Sequence, residues 1–111
     1  MVSVAISDTL KAFSDPLRQQ IMLLLKEQKM TAGDLARELN ITPAALSYHL
    51  KMLKKADLLL EYKDKNYIWY EINTTLFDEL IMWISQFGGK YEEKNNVDNN
   101  IHSFNSDTNI N

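Results

Sequence analysis

Hydrophobic residues recur every three to four positions through the first half of the chain, and this spacing predicts four helices. The pattern is weak over residues 3–13 and clear over residues 16–28, where a Ser-Asp-Pro sequence supplies a start signal. Two shorter helices follow at residues 31–39 and 42–55. Asn40 lies between them and suits the left-handed turn that ends a helix, so the third and fourth helices are expected to meet at a sharp angle.

The hydrophobic period changes from 3.6 to 2 after residue 57, which predicts a β-hairpin. Residues 58–63 and 67–72 form its strands, and Asn66 in the short polar turn is expected to adopt positive φ. The side chains expected to face the core are Ile68, Tyr70 and Ile72. A last apolar helix begins at Thr74 or Thr75 and stops at Gly88-Gly89.

This order of elements predicts a mainly α fold, a winged helix-turn-helix. Two short helices two residues apart match helix-turn-helix geometry, and the hairpin directly after them forms the wing. Residues 1–89 are expected to be one DNA-binding and dimerisation domain. Residues 90–111 hold seven of the ten asparagines and few apolar residues, so they are expected to be a disordered tail.

Composition excludes several functional classes. The sequence has no Cys and only two His, which removes disulfides, thiolate metal ligands and cysteine nucleophiles, so no metal and no cofactor is expected. No paired carboxylates in a cleft, Ser/His/Asp set or Gly-rich phosphate loop is recognisable, so no catalytic residue is assigned and the protein is not expected to be an enzyme. Without a membrane-length apolar run or a signal peptide, a cytoplasmic location is expected.

The net charge of −3 argues against nucleic-acid binding until it is divided by position. The tail carries −2, which leaves −1 on the first 89 residues. Residues 43–55 contain three lysines and no acid, and the hairpin turn adds Lys63 and Lys65. Lysines placed in this way can neutralise a phosphate backbone, whereas the alternative is that they form a solvated helix face.

If Leu46, Leu50 and Leu53 turn inward, the opposite side of the fourth helix is predicted to meet DNA. Small residues there allow close approach to a groove, a serine can reach a base edge, and a tyrosine can bond a phosphate. His49 flanks the core stripe, so it either packs inside or reaches a phosphate. The predicted DNA-binding residues are Thr42, Ala44, Ala45, Ser47, Tyr48, His49, Lys51, Lys54, Lys55, Lys63 and Lys65.

Two stretches resemble the ArsR/SmtB-type repressors of bacteria. Residues 12–21 are similar to the family's A-x-S-D-P-x-R-x-x-I opening, and residues 45–59 to its S-x-H-L-x-x-L-x-x-A-x-L recognition helix. Arg18 takes the Arg position of the first motif, where a structural role is favoured over a phosphate contact. Shorter segments at 30–36, 40–42 and 72–75 look most like the metal-free autorepressor branch, the SdpR-like proteins.

The resemblance implies a homodimeric repressor that binds a palindromic operator through residues 42–55, with a wing at 63–67 on the backbone or minor groove. The first and last helices would pair, through Ile6, Leu10, Leu76, Leu80, Trp83, Ile84 and Phe87. Independently, the apolar face of the last helix is wider than one core contact needs, although both of its sides could pack within one monomer. Sequestration by a membrane or protein anti-repressor is implied by the resemblance alone.

The family's metal sites have no counterpart here. Residues 31–39 carry no cysteine pair, and Asp78 and Glu79 on the last helix have no histidine beside them. Two alternatives to the repressor stay open: a winged-helix module that binds protein, and a regulator that responds to a small molecule.

Overall fold

The computed structural model describes residues 6–89, which form five helices and a three-stranded antiparallel sheet. The elements are α1 (Ile6–Phe13), α2 (Pro16–Glu27), β1 (Met30–Thr31), α3 (Ala32–Leu39), α4 (Pro43–Lys55), β2 (Leu59–Asp64), β3 (Tyr67–Ile72) and α5 (Thr74–Ser85). The predicted winged helix-turn-helix is confirmed. Residues 3–5 of the predicted first helix and the predicted tail lie outside the described residues.

Side-chain caps fix where the three central helices begin. The Asp15 carboxylate accepts the Arg18 backbone N–H at 3.0 Å, and Pro follows at the first helical position of α2. Thr31 and Asp34 form a reciprocal capping box at α3. The Thr42 hydroxyl oxygen accepts the Ala45 N–H at 3.1 Å at α4. Each cap contributes about 1 kcal/mol.

Left-handed residues end α3 and α4. Asn40 has φ 55°, and the next N–H, of Ile41, donates to the Ala36 carbonyl oxygen at 3.2 Å. Asp57 has φ 63°, and the Leu58 N–H donates to the Leu53 carbonyl oxygen at 3.0 Å. Both are Schellman endings. The first allows α4 to begin two residues later, and the second sends the chain directly into the wing.

The core lies between α2, α3, α4 and the start of β2. Its least exposed apolar side chains are Ile21, Leu35, Leu46, Leu53 and Leu58, each at 1% or less. The predicted inward stripe of α4 is confirmed, because its third leucine, Leu50, is also buried.

The sheet differs from the predicted hairpin in its number of strands. Met30 and Thr31 form an extra strand that pairs with Tyr70 and Trp69, giving the order β1-β3-β2. Two residues are too few to show a period of two, so the sequence pattern carries no signal for this strand.

Two details of the wing were predicted wrongly. Positive φ falls on Lys65 (60°) and not on Asn66, because Asp64 pairs with Tyr67 and leaves a two-residue turn whose first residue is left-handed. Ile68 is 37% exposed, because its partner is Lys63 at the outer end of the hairpin. Tyr70 and Ile72 pack against the core as expected.

Within residues 6–89, no helix is long and apolar enough to cross a membrane.

Candidate nucleic-acid interface

One side of α4 is polar and exposed along its length. Ala44, Ser47, Tyr48 and Lys51 all face away from the core, and Tyr48 is 57% exposed. This is the side predicted from the leucine stripe, and it recurs every three to four residues as a helix requires. Ala45 is half-buried at the edge of this face.

The lysines at the end of α4 are not equivalent. Lys51 and Lys55 are exposed. Lys54 donates through Nζ to Glu61 Oε1 on β2 at 2.5 Å, with 41% of its side chain exposed. This pair offsets part of the Lys54 charge and joins the end of α4 to the base of the wing. An exposed pair of this kind contributes at most about 1 kcal/mol to stability.

The wing presents two further predicted lysines on either side of one acid. Lys63 and Lys65 are exposed, and Asp64 separates them. A third lysine near the sheet, Lys29, was not predicted: its ammonium lies 5.0 Å from the centre of the Trp69 ring and 5.5 Å from that of Tyr62. Cross-strand pairing of these two aromatic residues could be read from the sequence, but the position of Lys29 depends on β1, which could not.

His49 contacts the interior and is nearly covered. Its side chain is 16% exposed, and its Nδ1 lies 3.1 Å from Nη1 of Arg18. The Arg18 Nε donates to the Ala12 carbonyl oxygen at 2.6 Å, so the structural role favoured for this arginine is what the contacts support. A phosphate contact by His49 remains a prediction.

The carboxylate of Asp15 completes this cluster. The backbone N–H of Arg18 hydrogen-bonds to it and lowers the pKa of Asp15 below its usual 3.8, and the positive charge of the Arg18 side chain lowers it further. Stability from this group is present above pH 3.8 and is lost as the pH falls through the lower pKa of the folded protein.

The predicted dimer residues divide into two sets. Ile6, Leu76 and Leu80 are buried within the monomer core. The others reach the surface to different extents: Trp83 is half-buried, Leu10 is 41% exposed, Ile84 46% and Phe87 71%. Ile81 and Met82 on α5 are more exposed still or nearly so, at 64% and 75%, and extend the same apolar surface, here called the α5 face (Ile81, Met82, Ile84 and Phe87).

An apolar groove of about 530 Å³ lies on the other side of α1 and α5. Its walls include Met22, Leu23, Ile72 and the edge-to-face pair Phe13 and Phe77, whose ring centres are 5.7 Å apart. Leu23 is 61% exposed although it belongs to α2, whose other apolar residues pack inward. The monomer therefore leaves apolar surface open both on α5 and beside it.

Comparison with known proteins identifies the class. The family model described as "Bacterial regulatory protein, arsR family" matches residues 15–60, from the cap of α2 into β2. The transcriptional repressor SdpR of Bacillus subtilis (strain 168) is 39% identical over 84 residues, which are 76% of this chain and 93% of that protein. The chain belongs to the arsR family. It is a DNA-binding transcriptional regulator, and the prediction that it is not an enzyme is confirmed.

Two further members of the arsR family extend the likeness. The arsenical resistance operon repressor of Staphylococcus aureus is 34% identical over 76 residues, which are 68% of this chain and 73% of that protein. The solved structure of an ArsR-like transcriptional regulator from Rhodococcus sp. RHA1 has a TM-score of 0.71 at 23% identity, covering 76% of this chain and 79% of the other. The structural likeness supports the winged helix-turn-helix fold.

A metal centre is not recognisable in the part of this arsR-family protein that the structure describes. No group of three or more His, Asp or Glu side chains in residues 6–89 is arranged to hold an ion. Asp78 is exposed and Glu79 is half-buried on α5.

Proposed function

We propose that the protein is a homodimeric transcriptional repressor that binds a palindromic operator without sensing a metal. The observation that carries the proposal is the exposed side of α4, which presents small, hydroxyl and lysine side chains and lies next to a lysine-bearing wing. Repression is favoured over activation by the two relatives named as repressors.

The α4 face has the chemistry of direct readout in a major groove. Ala44 keeps the helix surface low, and Ser47 can donate to or accept from a base edge. Tyr48 reaches furthest and suits a phosphate or a thymine methyl. Lys51 and Lys55 suit phosphates on the groove wall, while Lys63 and Lys65 extend the contact to the neighbouring backbone.

The α5 face supports the homodimer. Four neighbouring apolar residues that are between 46% and 75% exposed on one helix are an unfavourable surface for an isolated small domain. A two-fold axis through this region would cover the same patch on both copies, and it would present two α4 helices to successive turns of one DNA face. Such a dimer reads a palindrome, with half-site centres about 34–36 Å apart.

The donor set supports regulation without a transition metal. The whole sequence lacks cysteine, and one of its two histidines, His49, already uses Nδ1 toward Arg18. Carboxylates alone are poor ligands for metals that prefer nitrogen or sulfur. We expect Zn²⁺ or arsenite to leave the DNA affinity unchanged within about twofold.

Selection of genomic fragments by the purified full chain, at stated salt concentrations, tests the proposal. The expected result is a palindromic consensus, a 2:2 ratio of protein to half-sites by light scattering, and an affinity that falls steeply with salt. A log–log salt slope near zero would favour the protein-binding module instead. A consensus without two-fold symmetry, or a monomer on DNA, would contradict the dimeric operator.

A further inference from the structure

A buried arginine connects α4 to the two helices behind it. Arg18 is 9% exposed and lies in the first turn of α2. Its Nε donates to the Ala12 carbonyl oxygen at the end of α1, at 2.6 Å, while Nη1 lies 3.1 Å from His49 Nδ1 in the middle of α4. His49 directly follows Tyr48 on the proposed DNA-contacting side. One guanidinium therefore sets where this part of α4 stands relative to α1 and α2.

The chemistry of the two partners fixes the protonation state of His49. A guanidinium has only donors and stays charged, so the imidazole nitrogen facing it must accept with its lone pair. Nδ1 of His49 therefore carries no proton, and the ring is neutral with its proton on Nε2. The contact exists only in this form of the ring.

A second partner lies close to the same nitrogen. Asp15 Oδ2 is 3.9 Å from His49 Nδ1, beyond hydrogen-bond distance, and it already accepts the Arg18 backbone N–H. Its lowered pKa keeps this carboxylate ionised well into the acid range. The other elements packed here bring neutral groups: the Tyr48 ring, 5.2 Å from the imidazole between centroids, and the Thr9 hydroxyl of α1, which donates to the Ala56 carbonyl oxygen.

We propose that the Arg18–His49 hydrogen bond positions α4 for DNA binding, and that a proton on His49 Nδ1 releases it by exchanging Arg18 for Asp15. The protonated ring cannot accept from Arg18 and places a second cation beside it, whereas the Asp15 carboxylate attracts the new charge. The side chain, and the stretch of α4 that carries Tyr48, shifts toward the start of α2. This inference rests on the proposed function, because it assumes that α4 binds DNA.

The test compares two full-length proteins that differ in one titrating group. Both carry His102→Asn, so that His49 is the only histidine in the reference protein. The second also carries His49→Asn, whose amide oxygen can take the place of Nδ1 and accept from Arg18 without titrating. Fluorescence anisotropy measures affinity for a selected double-stranded fragment from about pH 7.5 to about pH 5.5 at fixed salt.

The reference protein is expected to lose about tenfold in affinity on acidification, as suits a lost hydrogen bond to a charged group, while His49→Asn changes by about twofold or less. Parallel losses in both proteins would overturn the positioning role. A folded His49→Asn protein that fails to bind at the higher pH would overturn it too, since the acceptor is retained. Absence of binding by the reference protein at every pH would instead overturn the proposed function.

A measurement without DNA keeps the inference testable if His49→Asn does not fold. Nitrogen-15 NMR of the imidazole in the His102→Asn protein reports which ring nitrogen carries the proton. A proton on Nε2 at about pH 7.5 is the expected result. A proton on Nδ1 would overturn the inference whatever the DNA affinity proves to be.

Discussion

Helices α4 and α5 are of nearly equal length, 13 and 12 residues, and each buries leucines on one side. Their other sides are opposite in character. The exposed side of α4 carries Ser47, Tyr48 and Lys51, whereas that of α5 carries Met82 and Phe87, which are 75% and 71% exposed. Leucine spacing therefore shows only which side of a helix faces the core. The opposite side decides what the helix does, and the difference assigns DNA to α4 and a second copy of the chain to α5.

The largest expected effect comes from reversing charge on α4. Lys51→Glu together with Lys55→Glu should reduce DNA affinity by about 1000-fold or more, because each change converts an attraction to phosphate into a repulsion and occurs twice in a dimer. The circular-dichroism spectrum and the melting temperature should stay unchanged, since both side chains are exposed. Anisotropy titration at fixed salt measures the loss.

Lys26→Glu paired with Lys11→Glu provides a control of equal charge. Both of these lysines are exposed on α1 and α2, away from α4, and their reversal changes the net charge by the same amount. We expect this control to weaken binding by less than about tenfold, through the overall field of the protein alone. Equal losses in both double variants would mean that α4 has no special part in binding.

The next largest effect comes from placing charge on α5. Met82→Lys with Phe87→Lys should convert the dimer to a monomer and reduce operator affinity by about 100-fold, because a buried unpaired cation at the two-fold interface is costly. Stability of the monomer should change by about 0.5 kcal/mol or less, since neither side chain is buried in the monomer core. Light scattering with denaturant melts separates the two quantities.

Leu80→Ala is the matched contrast on the same helix. Leu80 is 5% exposed, so its truncation leaves a cavity and should lower the free energy of unfolding by about 2–5 kcal/mol. If Met82→Lys with Phe87→Lys proves dimeric and binds DNA normally, the α5 face is not the interface, and the groove beside Phe13 and Phe77 becomes the next surface to test.

Local signals explain why the helix-turn-helix could be predicted from the sequence. Thr31, Asn40 and Thr42 act on backbone groups within three or four residues of themselves, so their roles are visible in the chain without its fold. The predicted stripe of α4 holds for the same reason: one helix period determines it.

Features that depend on distant parts of the chain could not be predicted in this way. Strand β1 exists because β3 offers it an edge, and Ile68 is exposed because the hairpin carries it outward. The division of the α5 residues into buried and exposed sets depends on where α1 and α2 pack, which periodicity does not reveal. His49 was left open between two roles, and Arg18, 31 positions earlier in the sequence, supplies its internal partner.

The smallest expected effect extends the comparison to the wing, where one residue serves DNA at the expense of the fold. Lys65 has φ 60°, which is unfavourable for a side chain with a Cβ atom, and glycine is the usual residue at this position of the turn. Lys65→Gly should raise the free energy of unfolding by about 1 kcal/mol and lower DNA affinity about threefold. Lys65→Gln removes the same charge and keeps the strain, so it should match the loss in affinity without any gain in stability. Denaturant melts and anisotropy titrations of the two variants measure both quantities. If the glycine variant is stabilised and binds DNA as tightly as the unmodified protein, Lys65 makes no contact with the backbone, and the basic surface that distinguishes α4 from α5 ends before the wing tip.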